Sequence, residues 1–359
     1  MGNYPRQEVM RELERRIVSG QWNPGQRLPT EEILSGEFRV SRGTVRNAIA
    51  SLVETGLVER RHGVGSFVCR DVTLPGAPRR VVVFGAGSGN LTDEILYGIQ
   101  QRAATLRCEV ELGVMPRSTG EASAMLSSLR RMNLAGVILA PFICRNYHEV
   151  NSRILDLLEE QSLRYVVVDA PVTSHGVIRG NFVGNDGYSA MRKLVKTLFE
   201  LGHRRIASIR GFTGVYSSDQ RHRGIVDQLE QEDVPVRPEL HRELEDVPLL
   251  LQGRKRIHEL MALAEPPTAL VCTHDMIALN VYDELRRMRF EVPGDLSLCG
   301  FDNAIFTEPL GLSTVSQPYS EIGARAVEIL LDNAATRRQE FLPCELILRS
   351  SIRNLQGEL

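Results

Sequence analysis

The residues best suited to chemistry in this chain are arginines grouped on one short segment, Ser41-Arg42-Gly43-Thr44-Val45-Arg46-Asn47. Arg42 and Arg46 stand four apart, so on a helix they share a face, opposite the apolar side made by Val45, Ile49 and Leu52, with Asn47 beside them. A guanidinium bonds bidentately to guanine, and hydroxyls near a helix start, as at Ser41 and Thr44, hold phosphate together with free backbone amides. Gly43 lets a backbone approach closely. A second basic group follows, where Arg60, Arg61 and His62 lead into the glycine turn His62-Gly63-Val64-Gly65. Such a turn can follow the sugar-phosphate backbone or enter a minor groove. The chemistry is recognition of duplex DNA rather than bond-making. No GxSxG, HExxH or Walker pattern occurs, so an enzyme is not expected.

The elements that must position these groups are legible on either side. Val9, Met10, Leu13, Ile17 and Val18 mark one face of a first helix over 7–18, ended by the breaker run from Gly20 to Gly25. A second helix fits Thr30 to Phe38, with Thr30 as its cap and Glu31 and Glu32 in its first turn. Ser41 caps a third, which buries Val45, Ala48, Ile49, Leu52 and Val53 and ends at Gly56. Strands at 57–60 and 66–69 then read as a hairpin. Three helices and a two-stranded wing make a winged helix-turn-helix.

Residues 71–79 have linker composition, two prolines and a glycine without periodicity. Beyond them apolar strands alternate with helical stretches: VVVF (81–84), EVELGVM (109–115), GVILAP (136–141), YVVVDA (165–170), IASIRG (206–211), ALVCT (269–273) and SLCGF (297–301). That alternation predicts an α/β body of parallel sheets covered by helices, and its length favours two lobes with a cleft between them. The expected division is a DNA-binding head over 1–70, a linker over 71–79, an effector and dimerisation body over 80–353 and a tail over 354–359.

Composition is ordinary for a globular chain of 359 residues, 42% hydrophobic and 25% charged, with a net charge of −2. The charge is unevenly placed. Residues 1–70 hold eleven arginines against eight acidic residues, leaving −5 for the remainder. No apolar run is long enough to span a membrane, and the N-terminus is charged from residue 6, which predicts a cytoplasmic protein with no membrane partner. Cys69, Cys108, Cys144, Cys272, Cys299 and Cys344 are scattered without CxxC spacing, so buried free thiols are expected rather than zinc or disulfides. Neither a metal nor a cofactor is expected. A strand followed by Gly85-Ala-Gly87-Ser-Gly89 imitates a dinucleotide loop, but Asn90 stands where its third small residue belongs.

The segments SGQWNPGQRLPTEEIL and FRVSRGTVRNAIASLVETGLVERRHGVGSFV resemble the gluconate-repressor (GntR) family of winged-helix regulators over residues 6 to 69. The resemblance implies DNA contacts from Ser41, Arg42, Thr44 and Arg46 and from His62 and Gly63 of the wing. Two positions depart from it: Glu32 replaces a usual arginine, and Arg39 a usual glycine. The form Pro29-Thr30-Glu31 is similar to the arabinose-repressor branch, in which the matching glutamate approaches bases. Glu31 therefore either accepts from a cytosine amino group or caps its helix.

The body resembles the effector domains of the lactose- and galactose-repressor (LacI) family, themselves similar to periplasmic sugar-binding proteins. LAGVILAP (134–141), LGHRRIASIRG (201–211), ALVCTHDMIAL (269–279), VPGDLSLCGFDN (292–303) and LSTVSQPYSEIGARAVEILL (312–331) carry that likeness. It implies two Rossmann-like lobes with the effector at the carboxyl ends of their strands, lined by Asp169, Arg221, His274, Asp302 and Gln317. Carboxylates, amides and arginines of this kind take sugar hydroxyls in pairs. His274 departs from the usual asparagine, which points to an unusual ligand and to pH sensitivity near neutrality. His203 matches a turn position. The expected protein is a homodimeric repressor of carbohydrate genes that binds a palindromic operator and is released by a sugar. A purine or other metabolite fits the same fold, as does a small-molecule binding protein without regulation.

Overall fold

Apolar residues at helical spacing draw the start of the chain around one small core. This computed structural model describes residues 6–18, 21–23, 25–61, 63–69, 79–85, 93–113, 134–144, 146–244, 247–248, 251–332 and 336–357. The head comprises α1 (Arg6–Val18), α2 (Glu31–Phe38), α3 (Arg42–Glu54) and an antiparallel hairpin of β1 (Val58–Arg61) and β2 (Gly65–Val68). Val9, Leu13, Leu34, Val45, Ile49 and Leu52 meet in its core. The Thr30 hydroxyl accepts from the Ile33 N–H at 3.4 Å and the Ser41 hydroxyl from the Thr44 N–H at 3.1 Å, so both predicted caps form. Each wing strand lies one residue nearer the turn than expected. Gly65, at φ +139°, pairs with Arg61, and the Val64 N–H closes the turn on the Arg61 carbonyl at 3.0 Å.

The body holds two parallel sheets. The first comprises β3 (Arg79–Phe84), β4 (Cys108–Gly113), β5 (Leu134–Leu139), β6 (Tyr165–Asp169), β9 (Asn181–Asn185) and β15 (Gln339–Leu342), in the order β15-β9-β6-β5-β3-β4. A small hairpin, β7 (Thr173–Ser174) and β8 (Val177–Ile178), lies between β6 and β9 in sequence. Helices α4 (Asp93–Thr105) and α5 (Tyr147–Glu160) belong to this lobe, and one apolar cluster forms on each side of the sheet. The second lobe runs α6 (Gly187–Glu200), β10 (Ile206–Arg210), α7 (Tyr216–Gln231), β11 (His241–Glu243), α8 (Arg254–Met261), β12 (Ala269–Cys272), α9 (Asp275–Arg287) and β13 (Ser297–Cys299). Its strand order is β11-β10-β12-β13, again with a cluster on each side.

The chain passes between lobes three times in the described residues. It leaves the first after β9, returns after β14 (Thr314–Ser316) through α10 (Tyr319–Leu331), and leaves again after β15 into β16 (Glu345–Ile347), which pairs antiparallel with β14. All seven body strands expected from the sequence are present and parallel to their sheet neighbours, although the last ends at Cys299 rather than Phe301. The short strands β9, β11, β14, β15 and β16 were not expected, because HRE or TVS carries no periodic signal and forms a strand only against its neighbour.

Three expectations need correction. Arg79, assigned to the linker, opens β3, where a neighbouring strand supplies backbone partners; residues 70–78 lie outside the described residues. The assigned tail is partly fold, since the Leu355 N–H donates to the Leu201 carbonyl at 2.8 Å. None of the six cysteines is in a disulfide among the described residues, but only Cys272 and Cys299, on central strands, are fully buried; the other four are partly covered.

Candidate functional site

On the head, Arg42 and Arg46 lie on the exposed side of α3, their side chains 59% and 61% accessible. Each meets a carboxylate of α2. Arg46 donates to Glu31 through Nε at 3.0 Å and Nη2 at 2.9 Å, Arg60 of the wing stands 3.9 Å from the same carboxylate, and Arg42 pairs with Glu32. Glu31 therefore is not the helix cap, a role Thr30 fills. Glu32, the departure from the usual arginine, has a partner of its own in Arg42. Ser41 and Thr44, expected to hold phosphate, bond each other at 2.9 Å between hydroxyls. Asn47 is exposed on the same helix. Arg61 pairs with Glu59 at 2.6 Å and lies 4.5 Å over the Phe67 ring. Gly63, at φ +72°, takes the left-handed turn position that favours glycine, and His62 falls outside the described residues.

In the body, Asp169, Arg221, His274, Asp302 and Gln317 line one cavity of about 360 Å³ between the two sheets. Their positions follow from parallel topology, because chain turns at strand carboxyl ends supply polar groups to the crevice. Asp169 ends β6, His274 follows β12, Asp302 follows β13 and Gln317 follows β14, while Arg221 projects from α7. In the second sheet β10 and β12 flank the point where strand order reverses, and His274 lies there.

The Arg221 guanidinium is 3% exposed, donates to the Thr273 carbonyl at 2.9 Å, stands 3.7 Å from Asp302 and lies 3.7 Å over the Phe301 ring. Its Nε is buried and meets no partner among the described residues. Gln317 donates from Nε2 to Asp302 Oδ1 and to Tyr319 Oη, both at 2.7 Å, and accepts from Asn185. Its amide is thus committed to holding neighbours in place. Asp169, by contrast, meets no hydrogen-bond donor among the described residues. Asp169 and Asp302 both adopt positive φ, +69° and +130°, a strain that such residues keep only where surrounding bonds fix them. Asp302 is fixed by its N–H to the Val315 carbonyl at 2.8 Å.

Sequence reasoning missed Asp275, Ser218 and Tyr319. Asp275 is buried and accepts from the Ala304 N–H at 2.8 Å and the Thr314 hydroxyl at 2.7 Å, clamping the turn that carries Asp302. Its place beside His274 was the available signal. Ser218, one helical turn before Arg221, lines the cavity with its hydroxyl buried and without a partner among the described residues.

Burial pushes the Asp302 carboxyl up to about 7, against the nearby Arg221 and with the help of Asp275. Burial, joined by Arg221, drives His274 down to about 3. The expectation that His274 senses pH near neutrality is therefore overturned, and Asp302 is the cleft group that titrates there. His203 is structural, bonding the Thr268 hydroxyl and the Arg353 carbonyl, each at 3.0 Å. The described residues contain no metal-holding cluster of His, Cys, Asp or Glu and no helix long and apolar enough to cross a membrane. Of the dinucleotide-like loop from Gly85 to Asn90, residues 86–90 lie outside the described residues.

Comparison with known proteins places these two sites in context. Residues 5–68 match the bacterial regulatory proteins of the gntR family, and residues 195–352 match the periplasmic binding protein-like domain. The arabinose metabolism transcriptional repressor of Geobacillus stearothermophilus is 26% identical over 97% of both chains. The HTH-type transcriptional repressor PurR of Actinobacillus pleuropneumoniae is 30% identical over 64% of this chain and 68% of its own. Among solved structures, a LacI transcriptional regulator of Bacillus cereus subsp. cytotoxis superposes with a TM-score of 0.66 at 25% identity, covering 77% of this chain and 99% of that one. The chain belongs to the HTH-type transcriptional repressors, as a ligand-responsive DNA-binding regulator with a gntR-family head and a LacI-type, periplasmic-binding-protein-like body.

Proposed function

We propose that the cleft binds an unphosphorylated sugar and that its occupancy releases a homodimer of this chain from a palindromic operator of carbohydrate genes. The observation that carries the reading is the convergence of Asp169, Arg221, His274, Asp302 and Gln317, from separate stretches of sequence, on one cavity. Two carboxylates stand there against one guanidinium among the described lining residues, which suits hydroxyl donors and disfavours phosphate. The likeness to an arabinose metabolism repressor along almost the whole chain supports a sugar. In this reading 1–70 is the DNA-binding head, 71–78 the linker and the chain from Arg79 through Leu355 the effector and dimerisation body of a cytoplasmic protein, and the cleft binds its ligand without turnover. The head reads DNA with Ser41, Arg42, Thr44, Arg46, Asn47, Arg61, His62 and Gly63, and Glu31 orients Arg46.

A thermal-shift screen of the full chain against aldoses, aldose phosphates and nucleobases tests the cleft. A ligand at 100 times its Kd adds about 2.7 kcal/mol if it binds only the folded form. An aldose shift that Asp169→Asn abolishes supports the reading, whereas a response confined to phosphates or nucleobases rejects it. For the head, duplexes selected from a random library should lose about 10- to 100-fold in affinity for Arg46→Ala. Unchanged affinity would remove α3 from the interface.

A further inference from the structure

The proton on His274 can be assigned from its surroundings. The Gly211 N–H donates to the Thr273 hydroxyl oxygen at 3.1 Å, and the same oxygen lies 3.2 Å from His274 Nδ1. Gly211 occupies one lone pair, and no other acceptor for the Thr273 hydroxyl proton exists among the described residues. The hydroxyl therefore donates to Nδ1. One ring nitrogen of a neutral imidazole carries the proton, so an accepting Nδ1 leaves it on Nε2. The ring is neutral, because burial and the Arg221 charge oppose a second proton. Asp169, Asp275 and Asp302 are the other charged groups of this region, and Asp275 is committed to Ala304 and Thr314. Nε2 meets no protein partner among the described residues, and the ring lines the cavity.

We infer that His274 is the specificity-determining residue of the cleft, a fixed Nε2–H donor that selects an effector presenting an acceptor, such as a ring oxygen or carbonyl, at the strand-order reversal of the second sheet. The inference rests on the sugar reading above and narrows it. An asparagine amide at this position could turn either its oxygen or its nitrogen to the ligand, and so would take a hydroxyl in either sense. Neutral His274 offers a donor alone. Asp169, an acceptor without a donor, stands elsewhere on the same cavity. The effector thus presents an acceptor atom to His274 and a hydroxyl donor to Asp169.

Two measurements on the full chain test this. In long-range 15N–1H spectra of histidine-labelled protein, with the signal assigned by its loss in His274→Gln, Nδ1 should be unprotonated and Nε2 protonated from pH 5.5 to 8.5. The opposite tautomer, or titration near neutrality, overturns the inference without touching the sugar reading. The aldose giving the largest shift among L-arabinose, D-ribose, D-xylose and D-galactose is then titrated into the parent, His274→Gln and His274→Leu. Glutamine can place an amide donor near Nε2, so it should keep affinity within about threefold, while leucine should weaken binding about tenfold or more. Equal losses in both would reduce His274 to a space-filling role and overturn the inference. Should none of the four sugars bind the parent, the sugar reading falls and this selection with it.

Discussion

The arginine-bearing face of the head and the lining of the cleft use the same ingredients, arginines beside carboxylates, in opposite surroundings. Arg46 and Glu31 are 2.9 Å apart with side chains 61% and 32% exposed, whereas Arg221 and Asp302 are 3.7 Å apart with 3% and 25% exposed. Water screens the first pair, so its partners can be exchanged for a guanine or a phosphate at small cost. The second is shielded by Phe301 and tied to Thr273, so its parts define a shape. Distance alone would rank these pairs wrongly. Solvent decides which holds a side chain in readiness and which holds a pocket together.

The strongest way to break the comparison is to remove the buried cation. Arg221→Ala leaves Asp302 without its counter-charge and the Thr273 carbonyl without its donor, and should lower stability in urea by about 3–5 kcal/mol. A loss below about 1 kcal/mol would show the cleft to be as well screened as the head. Asp275→Ala comes next, with an expected cost of about 1–3 kcal/mol from the unpaired Ala304 N–H and Thr314 hydroxyl. It should also weaken any aldose response, since the turn bearing Asp302 loses its clamp. Stability without change in that response would confine Asp275 to packing.

The pH dependence of stability sharpens the contrast from another side. Burial lowers His222 and His241 to about 4 and His274 to about 3. The unfolded chain takes up protons near 6.5 that the folded chain refuses, so stability is full above that pH and falls as pH drops toward 4. Asp302, raised from 3.8 to about 7, acts with the opposite sign between those values. Burial also lowers His203 and raises Asp169 and Asp275, each in the sense of its kind, so four histidines against three carboxylates predict a net decrease in the urea midpoint from pH 7 to pH 5. A midpoint that rises over this range would mean that the histidines are hydrated. The smallest effect belongs to the head: Glu31→Gln with Glu32→Gln should leave thermal stability nearly unchanged. It should also strengthen binding to random-sequence duplex and steepen its salt dependence by about one counterion for each arginine freed. An unchanged salt slope would mean that these carboxylates do not restrain Arg42 and Arg46.

Much of the fold was legible because its signals are local. Val45, Ile49 and Leu52 fix a helix face by spacing alone, Ser41 and Thr30 announce helix starts, and runs such as YVVVD announce buried parallel strands. Asp169, His274, Asp302 and Gln317 were nameable because they stand at or just after strand ends, where such topology gathers side chains, whereas Arg221, on a helix, was named through the family resemblance alone. Strands β14 to β16 were not, since each is short and takes its conformation from a partner distant in sequence or in the other lobe. Nor was Asp275, whose buried role depends on Ala304 and Thr314, brought to it by the fold.

The sequence by itself determined the kinds of element, their order, and the arginines and carboxylates available for recognition. Those follow from periodicity, capping and the chemistry of single side chains. Only the tertiary structure decided which of those groups act together and in what charge state. Glu31 could be read as a cap or as a base contact until α2 was set against α3 and its carboxylate met Arg46. His274 suggested a proton sensor until burial beside Arg221 made it neutral and left Asp302 to titrate instead. Ionisation and pairing depend on distance and dielectric, and both are set by residues far away in sequence.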